Sequence, residues 1–116
     1  MHTPRPQGNT RPMTTRPDPA SLPDMDALRA AIDAVDRELA ATLAYRTRLI
    51  DRAAAIKSVA GLPARITPRV EEVAANARRN AEAAGYDPDL AEALWRLMME
   101  HFIAQEALVL GETDGR

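Results

Sequence analysis

The sequence predicts an all-α protein with three helices, of which the first is much longer than the others. One stretch of some 35 residues contains neither glycine nor proline. Alanine is abundant, aromatic residues make up 3% of the chain, and runs of β-branched residues are missing, which disfavours strands. Apolar residues recur in steps of three and four, the spacing of a helix face. A chain of 116 residues suits one domain.

The stretch that precedes the first helix, residues 1–23, holds six of the nine prolines and almost no large apolar residues. Such a stretch cannot bury enough surface to offset its ordering entropy, so we expect a disordered proline-rich tail. It has no apolar core of the kind found in a secretory signal. Residues 24–110 are expected to form the helical domain and residues 111–116 a frayed end. About 90 residues would then fold, few enough that association would help to bury a core.

The first helix is expected to begin after Ser21, which can cap it, with Pro23 in the first turn. It runs to about Val59, a length of about 50 Å at 1.5 Å per residue. Gly61 and Pro63 end it. The apolar stripe of this helix consists of Leu28, Ile32, Val35, Leu39, Leu43, Leu49, Ile50 and Ala53.

Two shorter helices follow, each with a proline in its first turn. The second takes Thr67 as its cap and ends before Gly85. The third takes Asp87 as its cap and runs to about Leu110, before Gly111. Its Trp95, Met98 and Met99 are predicted to be core residues.

The length of the first helix predicts a homodimer. Two shorter helices cannot cover an apolar stripe of about 50 Å, and an isolated helix owes little stability to propensity alone. The simplest arrangement packs the long helices of two copies against each other.

Composition excludes several other classes of protein. Without cysteine there are no disulfides or thiolate metal sites, and with only His2 and His101 as imidazoles we expect no metal site. A formal net charge of −2 gives no general attraction to nucleic acid. No apolar run approaches the roughly 20 residues that span a bilayer. We therefore expect a soluble cytoplasmic protein.

Two cations lie within the apolar stripe of the first helix. Arg46 and Lys57 are 11 residues apart, and 11 steps of about 100° return to within about 20° of the start, so they share a face. A buried cation costs several kcal/mol unless an anion pairs with it. An intramolecular salt bridge or a snorkelling side chain would satisfy this requirement. The absence of an acid at intervening stripe positions favours an external anion instead.

Arg29 precedes Arg46 by 17 residues, or about 25 Å along one helix. A small ligand at Arg46 and Lys57 could not also reach Arg29 of the same helix. In an antiparallel dimer the partner subunit's Arg29 could reach that ligand. Taken by periodicity alone, Arg29 is an exposed first-turn arginine.

Residues 25–57 begin with MDALRAAIDAVD, followed by a central arginine and a lysine near the end. They resemble the first helix of the all-helical (type II) chorismate mutases, and GLPARITPRVEEV over 61–73 resembles that family's loop and second-helix start. The resemblance covers about residues 25–110 and rests on the ordered set of Arg29, Arg46, Lys57 and Arg69.

The resemblance implies an intertwined homodimeric helical bundle with two sites. Arg46 and the partner subunit's Arg29 would hold the substrate carboxylates, Lys57 would bond the ether oxygen and a carboxylate, and Arg69 would support the carboxylate end. The implied ligand is a small dicarboxylate, and the implied reaction is the rearrangement of chorismate to prephenate, on the way to phenylalanine and tyrosine. A Claisen rearrangement needs no nucleophile, metal or cofactor, only orientation and positive charge at the breaking bond.

The sequence departs from the family pattern at four positions. Val70 and Ile66 replace acids that many members have near the second-helix arginine, and Phe102 replaces a serine in the third helix. Glu106 falls at the position of the family's glutamine, while Gln105 would match it after a shift of one residue. A glutamate facing the ether oxygen would assist only when protonated.

These departures leave the substrate open. The pair Arg69-Val70 and the aromatic Phe102 resemble the isochorismate-pyruvate lyases, which form salicylate, and the 4-amino-4-deoxychorismate mutases, which share the scaffold. We favour the mutase over both. A helical dimerisation or ligand-sensing module is the non-enzymatic alternative, but it would not need Arg46 and Lys57 on the stripe.

Overall fold

The structure is a computed structural model, and it describes residues 16–112. Three α-helices account for most of this range: α1 (Met25–Ala60), α2 (Thr67–Ala84) and α3 (Pro88–Val109), preceded by a short 3-10 helix at Pro19–Ser21. No strand occurs between residues 16 and 112. The predicted all-α fold with a long first helix is therefore confirmed. No helix in the same range is long and apolar enough to cross a membrane.

The start of α1 is capped by Asp24, whose Oδ1 accepts the backbone N–H of Ala27 at 2.9 Å. The expectation that Ser21 caps this helix is wrong, because Ser21 belongs to the 3-10 helix and its Oγ donates to the carbonyl of Asp18 at 2.6 Å. At the other end Gly61 has a φ of 73°, the left-handed conformation that ends many helices.

The start of α2 also differs from expectation. Thr67 is its first helical residue rather than its cap, and the capping position is occupied by Ile66, which makes no side-chain capping bond. The Ile66 carbonyl already accepts the N–H of Val70 at 3.0 Å, so the helical bonding begins one residue earlier than the threonine suggested. Gly85, at a φ of 76°, ends the helix as predicted.

Asp87 caps α3 as predicted, since its side chain accepts the N–H groups of Asp89 and Leu90. Helices α2 and α3 contact each other, and α3 buries Ala91, Met99 and Glu106. The buried positions recur at intervals of eight and seven, close to whole numbers of helical turns.

The seam between α2 and α3 consists mainly of small side chains. In α2 the buried residues follow steps of four, three and four: Val70, Ala74, Ala77 and Ala81. Val70 and Ala74 form a core cluster with Met99, against which Val73 and Ile103 pack. This cluster forms the base of the site described below.

The chain divides into two compact units after Leu43, and α1 runs through the division. In the first unit, Arg16 pairs with Glu38 at 2.7 Å. The 3-10 helix of this unit stands within residues 16–23, where disordered chain was expected, and Asp18 caps it. The rest of the expected tail, residues 1–15, lies outside the described residues, as do residues 113–116 of the expected frayed end.

The apolar stripe of α1 is largely exposed. Among the described residues of this helix only Ala54 is buried, whereas the exposed fraction is 54% for Leu39 and 52% for Leu49. Apolar surface of this extent favours association with another surface. The homodimer itself stays a prediction.

Candidate active site

A pocket of about 470 Å³ lies within the second unit, between the second half of α1, the start of α2 and the second half of α3. Four charged side chains line it: Arg46 and Lys57 from α1, Arg69 from α2 and Glu106 from α3. Three cations and one carboxylate give the pocket a net positive lining.

Arg46 is half-buried and lies near Arg69. Burial lowers the pKa of Arg46 below its ordinary value, and the positive charge of Arg69 lowers it further. Arginine nevertheless keeps its proton in proteins, so two like charges face the same space. The carboxylate that pairs with Arg69 is the exposed Glu72, at 3.0 Å. An anion between the two guanidinium groups would relieve both the desolvation and the repulsion.

Lys57 is paired within the chain. Its Nζ donates to Glu106 Oε1 at 2.7 Å and to the carbonyl of Ala64 at 2.7 Å. The side chains of this ion pair are 18% and 8% exposed. The salt bridge that spacing alone left open is therefore present for Lys57. An ammonium group has three N–H donors, so one remains for a ligand.

The rest of the lining is apolar. It comprises Leu49, Ile50, Ala53, Ala64, Ile66, Val70, Val73, Met99, Phe102 and Ile103. Apolar walls with a few convergent polar groups are typical of sites for small organic molecules. Between residues 16 and 112, no cluster of His, Asp and Glu is placed to hold a metal ion.

The pocket brings together six of the eight residues that were predicted to form the site. These are Arg46, Lys57, Arg69, Val70, Phe102 and Glu106. Arg29 belongs to the first unit, is exposed, and does not line the pocket. Gln105 is also exposed and outside the lining, whereas the adjacent Glu106 is buried within it. Glu106, and not Gln105, therefore occupies the pocket position that corresponds to the family's glutamine.

Met99 was assigned to the core alone, but it also lines the pocket. The signal was present in the sequence: Met99 precedes Phe102 by three residues, Ile103 by four and Glu106 by seven. Residues at these spacings share one helix face.

A pocket that joins three cations to apolar walls is suited to a small organic anion. The family model for chorismate mutase type II matches residues 28–107, which is more than half of the chain. The chain belongs to the chorismate mutase type II family.

Among curated proteins, the T-protein of Enterobacter agglomerans is 37% identical over 83 residues, which is 72% of this chain and 22% of the relative. This chain thus spans 22% of the length of that relative. No solved structure matches the chain.

Proposed function

We propose that the protein is a chorismate mutase that converts chorismate to prephenate without a cofactor, in the biosynthesis of aromatic amino acids. One observation carries the proposal: Arg46, Arg69 and Lys57 converge on one pocket whose remaining walls are apolar. Membership of the family supports this reaction, and the three cations that line the pocket support its place there.

The rearrangement breaks a C–O bond and forms a C–C bond within one molecule, so no proton or group is exchanged with the protein. Its barrier falls when the dianion is held in a compact conformer and when positive charge meets the ether oxygen. Arg46 and Arg69, which both line the pocket, would bind a carboxylate. The remaining N–H of Lys57 is the donor for the ether oxygen, where negative charge develops as the bond breaks.

The partner subunit's Arg29 would complete the site. The exposed stripe of α1 would be covered by the long helix of a second copy, which would bring an additional guanidinium to the substrate. A cytoplasmic location stays a prediction from the sequence.

Glu106→Gln is expected to keep or raise kcat with chorismate. The ionised Glu106 that pairs with Lys57 repels the charge that develops on the ether oxygen and competes with the substrate for Lys57, whereas a glutamine amide can donate an N–H to that oxygen. Steady-state kinetics of the two proteins checks this. A kcat far below wild type would contradict the position assigned to this side chain.

The isochorismate-pyruvate lyase is the second candidate, favoured by Val70 and Phe102 in the pocket wall. Because the residue that follows Arg69 is a valine, it offers no carboxylate to bind a ring hydroxyl. We expect purified protein to form prephenate from chorismate and no salicylate from isochorismate. Assaying chorismate, isochorismate and the 4-amino analogue of chorismate separately checks this. Salicylate and pyruvate as the main products would favour the lyase, turnover of the 4-amino analogue alone would favour the amino-substrate mutase, and no turnover would contradict all three enzymes.

A further inference from the structure

We propose that Glu112 is a positioning residue, whose carboxylate holds the backbone of Ala64 so that Lys57 is oriented correctly in the pocket. The inference rests on the proposed function, because Lys57 is the group whose orientation matters there. Glu112 does not line the main pocket, so it would act through Ala64 and Lys57 rather than on the substrate.

Ala64 is held from two sides. Its carbonyl accepts the Lys57 ammonium at 2.7 Å, and its N–H donates to Glu112 Oε2 at 2.9 Å. Ala64 is only 2% exposed, and a buried backbone N–H without an acceptor destabilises the fold. Within the described residues, the carboxylate of Glu112 accepts this N–H. The carboxylate therefore fixes the loop between α1 and α2 at the point where Lys57 is bound.

Fixing this loop determines where Lys57 can point. Two of its three N–H groups are directed by Glu106 and by the Ala64 carbonyl, so the direction of the third follows from theirs. Lys57 also borders a second depression of about 360 Å³, whose walls include Pro63 and Glu112. Without the hydrogen bond from Ala64 to Glu112, the loop and the Lys57 ammonium group could move into this open space, away from the main pocket.

The end of α3 places Glu112 for this contact. Gly111 adopts a φ of 78°, which residues with a side chain rarely adopt. The N–H of Glu112 then returns to the carbonyl of Ala107 at 2.8 Å. One helix end thus provides two carboxylates, Glu106 for the Lys57 ammonium and Glu112 for the backbone that the ammonium contacts.

The test compares Glu112→Ala with Glu112→Gln and with a matched control, Glu100→Ala. Glu100 also joins α3 to this loop, through an exposed pair with Arg65 at 2.9 and 2.6 Å, but it touches no pocket-lining backbone. We expect Glu112→Ala to lower kcat about tenfold with a smaller change in KM, since loss of orientation acts on the transition state. Glu112→Gln keeps an acceptor and should stay within about twofold of wild type, as should Glu100→Ala.

Wild-type kcat in Glu112→Ala would overturn the proposal, and so would equal losses in Glu112→Ala and Glu100→Ala, which would indicate a general tether. If Glu112→Ala does not fold, Glu112→Asp takes its place, because its shorter side chain withdraws the carboxylate from Ala64. A wild-type protein without turnover would contradict the proposed function instead. Amide hydrogen exchange at Ala64 would then decide whether Glu112 holds the loop: faster exchange in Glu112→Ala than in Glu112→Gln supports it, and equal exchange overturns it.

Discussion

Lys57→Ala is expected to lower kcat about a hundred- to a thousandfold, the usual effect of removing one preorganised donor from a site of developing negative charge. The loss should be in kcat more than in KM, because the bond from Lys57 to the ether oxygen strengthens as the C–O bond breaks. Steady-state kinetics with chorismate measures both. A loss of affinity alone would instead indicate a protein that binds the ligand without turning it over.

Stability needs its own control, because Lys57→Ala also leaves the buried Glu106 without its partner. Breaking a buried pair from one side costs up to about 3–5 kcal/mol. The double variant Lys57→Ala/Glu106→Gln removes the stranded charge and should recover stability while kcat stays low. Arg52→Ala removes an exposed cation from the same helix and should leave kcat unchanged. Unfolding followed by circular dichroism separates the two effects.

Arg29→Ala and Arg46→Ala should each be nearly inactive, and a mixture of the two, unfolded and refolded together, should regain activity. If each site combines Arg46 of one protomer with the partner subunit's Arg29, every mixed dimer contains one intact site. Random pairing then restores about a quarter of wild-type activity. Gel filtration checks that dimers form, and kcat per protomer gives the recovered fraction.

A matched mixture distinguishes this arrangement from nonspecific rescue. Arg46→Ala mixed with Lys57→Ala should recover nothing, because both residues line the pocket of one chain and each protomer then carries a defective site. Recovery in this second mixture, or none in the first although dimers form, would contradict the role assigned to Arg29.

Helical periodicity was sufficient to bring Arg46 and Lys57 to one pocket, because that inference depends only on the geometry of a single helix. Helical periodicity could not predict the pairing of Lys57 with Glu106. Those residues are 49 positions apart, and their contact depends on how α3 is rotated about its axis. A single-residue shift would have presented Gln105 instead, and only the packing against α2 decides between them.

Helix starts were predicted with uneven success, for a common reason. Asp87 caps α3 as expected, but Asp24 rather than Ser21 caps α1, and Ile66 takes the position expected of Thr67. Capping residue types recur within a few positions of one another along this chain. Which of these neighbouring residues is the cap depends on which backbone carbonyl accepts the first helical N–H, and the sequence composition does not show this.

The alanine seam between α2 and α3 has a consequence for how the site tolerates change. Methyl side chains let two helices approach to about 8 Å, the lower end of the usual spacing. That spacing also sets how far Arg69 on α2 stands from Phe102 and Glu106 on α3, and hence the width of the pocket. Small side chains are therefore required at four positions of this seam, Ala74, Ala77, Ala81 and Ala91. A bulkier and more hydrophobic residue there would act as a spacer and alter ligand fit without touching the ligand.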